Sequence, residues 1–283
     1  MANGLLPSLP GMLLGAIASI GRGRRASLSG AGFEACYESA AVDLAHAARY
    51  RAIIDDRSTQ LPLAYFYLLA QRAQLALMLD RRFPHAIPGL IHTANEMRFL
   101  GTPQAGKRFE ILVSVLPRHE AVNSGRIVFT VAIAQFGQDI VRCVSEYQTR
   151  RADGGKRTNK EASAEPPAPL PASSWEFDAA LFWRYARLAG DFNPIHLSSL
   201  AARAFGFRAA IAHGMYAVGR SAATIERHTG QPVIAMSARF RRPICLPGEV
   251  HFAFAASAAG AGNYSVWSEQ GGSTCIVGNW AIA

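Results

Sequence analysis

The chain has 283 residues, half of them hydrophobic and only 17% charged, with a net charge of +9. That composition excludes a disordered or low-complexity protein, and the length allows one large domain or two ordinary ones. Most of the positive surplus lies in two short segments, Arg22–Arg25 and 149–160; nothing has the basic helix or interleaved aromatics of a nucleic-acid module, so no nucleic-acid partner is expected.

Residues 5–20 are apolar but precede their arginines, the reverse of a secretory signal. Pro7 and Pro10 interrupt the run and it is too short to span a bilayer. No transmembrane segment is expected, and 1–31 reads as an amino-terminal extension whose apolar segment lies against the protein's own surface or, as the alternative, a membrane surface. Cys36, Cys143, Cys245 and Cys275 are widely spaced. They suit a reduced, cytoplasmic chain in which each cysteine is a small buried hydrophobe.

From 63 to 80 the sequence is apolar almost all round, which fits a helix enclosed by a curved sheet. Strands are expected at 88–99, 109–116, 126–134 and 139–148. The stretch 151–174, rich in Gly, Pro, Ala, Ser and charge, reads as an exposed linker. Beyond it, helical runs are expected at 177–191 and 214–228. Alternating segments at 233–240, 250–257, 263–269 and 274–282 predict antiparallel strands. Arg98-Phe99 precedes Pro103 and Gly106 as Arg239-Phe240 precedes Pro243 and Gly248. Two similar halves, 32–150 and 175–283, therefore suggest a tandem α+β fold.

One stretch carries the chemistry. Gly190-Asp191-Phe192-Asn193-Pro194-Ile195-His196 sets an acid and an imidazole five residues apart, with Asn193 and Pro194 forcing a turn between them. Such a turn lets both side chains converge. His213-Gly214-Met215 follows and opens a helix, whose unpaired N–H groups suit developing negative charge.

Tyr185, the run 190–196 and 213–215 together resemble the signature of the MaoC-like, R-specific enoyl-CoA hydratase (hydratase 2) family. The stretch 83–99 resembles the degenerate amino-terminal repeat of its two-hot-dog members, which lacks the G-D-x-N-P-x-H run. The resemblance implies a double hot-dog fold, each half a long helix wrapped by an antiparallel sheet, with one active site in the second half. It implies an R-specific 2-enoyl-thioester hydratase, or in reverse a 3-hydroxyacyl-thioester dehydratase of fatty-acid metabolism, without cofactor or metal. Asp191 and His196 fall on the catalytic pair, activating water and transferring its proton. The N–H of Gly214 would stabilise the thioester enolate. Where some members carry a serine near the substrate, this chain has Ala222, with Ser221 adjacent.

Around that core, Asn193 is expected to fix the turn, and His213 and Met215 flank the oxyanion position on the substrate side. Arg241 and Arg242, at a strand end beside Arg239, are candidates for the phosphates of coenzyme A; Lys107 and Arg108 are the weaker equivalent in the first half. Tyr65, with Phe66 and Tyr67, is a candidate lining of an acyl tunnel. His46, His85, His92, His119, His228 and His251 lack metal-ligand spacing, so no zinc site is expected. The expected partner is an acyl-CoA or acyl carrier protein thioester, and a second copy of the chain is a candidate. Two other functions fit a hot-dog chain: an acyl thioesterase, and a non-catalytic acyl-carrier-binding subunit.

Overall fold

Every second residue of Arg126–Gln135 is buried, from Ile127 through Phe129, Val131 and Ile133 to Gln135. That period of two gives a strand with one face on a core. The computed structural model describes residues 32–88, 90–116, 126–149, 173–257, 259–269 and 272–283, with 4–7, 12, 15, 16 and 19. The linker 151–174 lies outside these except at Ser173 and Ser174, and most of the extension 1–31 lies outside them too.

The first half runs β1 (Phe33–Glu38), α1 (Leu44–Ile53), a 3-10 turn (Leu63–Tyr65), α2 (Phe66–Leu79), β2 (Leu90–Phe99), β3 (Glu110–Leu116), β4 (Arg126–Gln135) and β5 (Gln138–Thr149). The second runs β6 (Ser173–Phe177), α3 (Ala179–Ala189), α4 (Pro194–Leu197), α5 (Ser199–Ala204), α6 (Gly214–Thr229), β7 (Val233–Phe240), β8 (Gly248–Ala256), β9 (Ala261–Ser268) and β10 (Ser273–Ile282). The strands form one sheet in the order β1-β3-β4-β5-β2-β7-β10-β9-β8-β6. Each half repeats the same order outward from the centre, and β2 pairs antiparallel with β7, Met97 facing Met236. With one long helix against each half-sheet, this is the tandem hot-dog arrangement.

The two central helices are unequal. α2 buries Phe66, Tyr67, Leu68, Leu77 and Met78. α6 buries Met215, Tyr216, Val218 and Ile225 together with a run of small residues, Ala217, Gly219, Ala222 and Ala223 among them. A Cβ on Gly219 would lie 3.0 Å from the Tyr50 hydroxyl and 3.4 Å from the Ala64 methyl, so α6 lies directly on the first half.

Two departures from the sequence reading concern short elements. β1 and α1 form where no element was expected. The helix expected over 177–191 begins only at Ala179, as α3, because Asp178 caps it by accepting from Leu181 N–H at 2.6 Å, and Phe177 instead ends β6, which pairs with β8. Cys143 and Cys275 are buried, while Cys36 and Cys245 are only half-buried. Of the amino-terminal stretch, Leu6 is buried and its N–H donates to Glu38 O at 2.8 Å. Among the described residues no helix is long and apolar enough to cross a membrane.

Candidate active site

α3 ends at Gly190, which takes a left-handed conformation (φ 73°) that a residue with a Cβ reaches only with strain. The reversal delivers Asp191 into a tight turn, where its Oδ1 accepts from Asn193 N–H at 3.2 Å. Asn193 then caps α4, accepting from Ile195 N–H, and Pro194 occupies the first helical turn, where its missing donor costs nothing. Pro and Asn thus make the turn that brings His196 back towards Asp191.

Two backbone carbonyls set the histidines. His196 Nδ1–H donates to Ile211 O at 2.8 Å, which leaves Nε2 as a lone-pair acceptor. His213 Nε2–H donates to the Asp191 carbonyl at 3.0 Å, and its buried Nδ1 has no partner. A carboxylate oxygen of Asp191 and one nitrogen of each ring lie within 4.8 Å of one another. Burial works against charging the Asp191 carboxyl. The neighbouring imidazoles, the Gln71 amide and Asn193 N–H outweigh it and hold the carboxyl below its ordinary value. Burial pushes both imidazoles down, His213 to about 3, against the pull of Asp191. At neutral pH the cluster is one carboxylate beside two neutral rings, rich in acceptors.

Such a donor set also occurs around metals. Here, however, the His196 and His213 rings stack with centroids 3.9 Å apart and planes 28° apart. Nearly parallel rings present their nitrogens side by side and cannot both aim in plane at one ion about 2 Å away. The geometry suits a water held between acceptors better than a cation.

Gly214 begins α6, and no side chain caps this end. A Cβ here would lie 2.5 Å from the Phe240 ring, so only glycine lets the ring cover the helix start. Met215 is buried in the core. Arg241 and Arg242 are exposed and follow Phe240 directly. Tyr65 is not brought to the cluster: its hydroxyl donates to His46 Nδ1 at 3.1 Å and its ring packs edge-on to Tyr50 and Phe66. The three consecutive aromatics span the change from 3-10 turn to helix and point different ways. Gln71, which the sequence did not single out, donates to Asp191 Oδ2 at 2.8 Å from the other half of the chain.

The buried histidines make stability depend on pH. His213 and His92 are held neutral, burial lowering them from 6.5 to about 3 and about 4. A depressed histidine means that the unfolded chain binds more protons as pH falls. Stability is therefore whole above about 6.5 and declines below it. The thermal midpoint should drop between about pH 7 and pH 5. His92→Phe, which keeps the ring stack, should flatten part of that slope; an unchanged midpoint over this range in the unmodified protein would mean the rings are not held neutral.

Residues 155–267 match the family described as MaoC like domain. The 3-hydroxyacyl-thioester dehydratase X of Mycobacterium tuberculosis is 32% identical over 221 residues, covering 74% of this chain and 75% of that protein. The crystal structure of HtdX from the same organism superposes with a TM-score of 0.73 at 24% identity, over 89% of this chain and all of that one. A MaoC-like dehydratase from Phytophthora capsici superposes with a TM-score of 0.68 at 15% identity, over 90% and 97%.

Proposed function

Since the chain belongs to the MaoC-like dehydratase family, we propose that it is a hydro-lyase that adds water across 2-enoyl thioesters, or removes it from 3-hydroxyacyl thioesters, at Asp191, His196 and Gly214. One observation carries the assignment of residues. His196 is pinned through Nδ1, which leaves Nε2 as its acceptor, and one of its ring nitrogens lies within 4.8 Å of a carboxylate oxygen of Asp191. Two acceptors at that separation can hold one water by both of its protons, through hydrogen bonds of about 2.8 Å. Its lone pair is left for carbon.

In hydration, the water oxygen bonds to the β-carbon as His196 Nε2 takes its proton, and Asp191 stabilises the imidazolium. The electrons of the carbon–carbon double bond move to the thioester oxygen, where the Gly214 N–H at the start of α6 meets the charge. His196 then returns the proton to the α-carbon. One base serving both carbons delivers water and proton to the same face of the double bond, and R-specificity then follows from which face the substrate presents. Asn193 holds the turn, and His213 orients Asp191 through its carbonyl. Arg241 and Arg242 are the candidate anchors for the phosphates of coenzyme A or of a carrier protein's prosthetic arm. Four widely spaced cysteines favour a reducing, cytoplasmic compartment.

Loss of enoyl absorbance on incubation with crotonyl-CoA tests the reading. Release of free thiol instead would mark a thioesterase. No reaction at any chain length would mark a carrier-binding subunit.

The acyl tail is assigned to the seam rather than to Tyr65. A small void there, of about 10 Å³, is lined by Leu63, Ala64, Asn95 and Met97 from the first half and by Val218, Ala222 and Met236 from the second, and it must widen to admit a chain. Met97→Ala should lengthen it and favour longer enoyl chains. Each extra buried CH₂ is worth about 0.8 kcal/mol, roughly fourfold in kcat/KM. Tyr65→Ala should leave the preference unchanged. A Met97→Ala profile lowered equally at every length would remove the void from the substrate path.

A further inference from the structure

Helix α2 is apolar around most of its circumference but carries one polar stripe, Tyr67, Gln71 and Gln74, spaced four and three residues apart on one face. Two members of the stripe are anchored within their own half. Gln74 Nε2 donates to Ser145 Oγ at 2.9 Å and its Oε1 accepts from the Tyr147 hydroxyl at 2.9 Å. Ser145 Oγ also accepts from Asn95 Nδ2 at 3.0 Å. The Tyr67 ring stacks on His92, which stacks in turn on Tyr147. Gln71, held between these two, sends its amide across the seam to Asp191 Oδ2.

We infer that Gln71 is a positioning residue for the hydration reaction, supplied by the half of the chain that has lost its own catalytic motif. The inference rests on the hydratase reading and adds a residue to it. Each Asp191 oxygen has one donor: Asn193 N–H on Oδ1, from its own turn, and Gln71 on Oδ2, from 120 residues away. The first donor alone would leave the carboxylate free to rotate about its terminal torsion, which is soft. The second fixes the plane, and so fixes where the remaining lone pairs point towards the water. It also favours the ionised carboxyl, because an N–H donor binds a carboxylate better than an acid.

Glutamine suits this place chemically. Its Nε2–H₂ group is a donor at every pH the protein meets, and it brings no charge of its own to compete with Asp191. The anchored neighbours on the stripe keep it from swinging away, so the precision of the site depends on the packing of the first half. A hydrogen-bonding residue behind a catalytic group is commonly worth about 10–100-fold in activity when removed.

The test compares two variants with opposite expected signs. Gln71→Leu keeps the bulk and removes the donor. It should lower kcat on the order of 10–100-fold with little change in KM, and Asp191 should become easier to protonate. Gln71→Glu sets a second carboxyl against Asp191. It should be slow at neutral pH and recover as pH falls, when one shared proton restores a donor at that place. Carboxyl carbon NMR of Asp191 in the folded proteins supplies a readout independent of turnover, with its titration midpoint higher in Gln71→Leu than in the unmodified protein. An equal fractional loss at every pH, with the Asp191 midpoint unmoved, would reduce Gln71 to a packing residue and overturn the inference. Should Gln71→Leu fail to fold, the direction of the Gln71→Glu profile decides. If the unmodified protein hydrates no enoyl thioester, the hydratase reading falls, while the NMR comparison still judges the contact.

Discussion

Asp191→Asn and His196→Ala should each lower kcat for enoyl-CoA hydration by on the order of 10²–10⁴, the usual worth of a positioned acid–base group. Asparagine must present an amide donor at one of two places: towards the Gln71 amide or towards the Asn193 N–H, each of which already donates there. Either way two donors meet. Alanine at 196 removes the Nε2 acceptor and leaves Ile211 O without its partner, at a cost of about 1 kcal/mol of stability, so the variant should still fold. Because the pair holds one water, the effects should not add: the double variant should be about as slow as the worse single one. Reaction requires the carboxylate and the neutral imidazole together. Burial lowers His196, so the acid limb of the unmodified enzyme should lie below pH 6.5, with full activity above it. Near-normal turnover in a folded single variant would remove that residue from the chemistry.

The second large effect is expected from one methyl group. In Gly214→Ala the new carbon would meet Phe240 ring carbons at 2.5 and 2.8 Å. The ring is not free to swing, since it packs against His92 at 5.0 Å between centroids, and His92 is itself stacked on Tyr147. The start of α6 must therefore move, carrying its N–H groups away from the oxyanion position. Overpacking should cost about 1–3 kcal/mol of stability. Loss of the aligned donor should cost on the order of 10²–10³ in kcat. Adding Phe240→Leu should restore the stability and part of the rate by making room. A stable, fully active Gly214→Ala protein would show that this N–H does not meet developing charge.

Much of the site was legible because it is local in sequence. Asp191, Asn193, Pro194 and His196 lie within six residues, and turn chemistry alone requires the chain to reverse there. The role of His213 was half legible: its place before Gly214 marked it, but its bond to the Asp191 carbonyl depends on the return of the chain after α5. Gln71 could not be found this way. It lies on a run read as buried and contacts a residue in the other half, so neither period nor spacing points to it. Its one faint signal is a polar residue at helical spacing from Tyr67 and Gln74 on a mostly apolar helix. β1 and α1 escaped for a different reason. Six residues of β1 are too short to establish a period, and Leu44–Ile53 has no contrast between its faces.

The unequal helices at the centre of the sheet bear on ancestry and engineering. Two copies of the second half, paired through β7, would set the alanines and glycine of α6 against one another where Tyr50 and Ala64 now approach Gly219. The bulk missing from that contact would open cavities, costing about 24 cal/mol for each Å³ left unfilled. Two copies of the first half would face the converse problem, with Tyr50, Ile54 and Ala64 competing for space that Gly219 now yields. Each half has thus become the other's complement, like the subunits of a heterodimer that a covalent tether keeps at equal dose. A chain cut in the linker and separated should therefore regain its native state only when both fragments are mixed, and a chimera carrying two second halves should not recover two active sites.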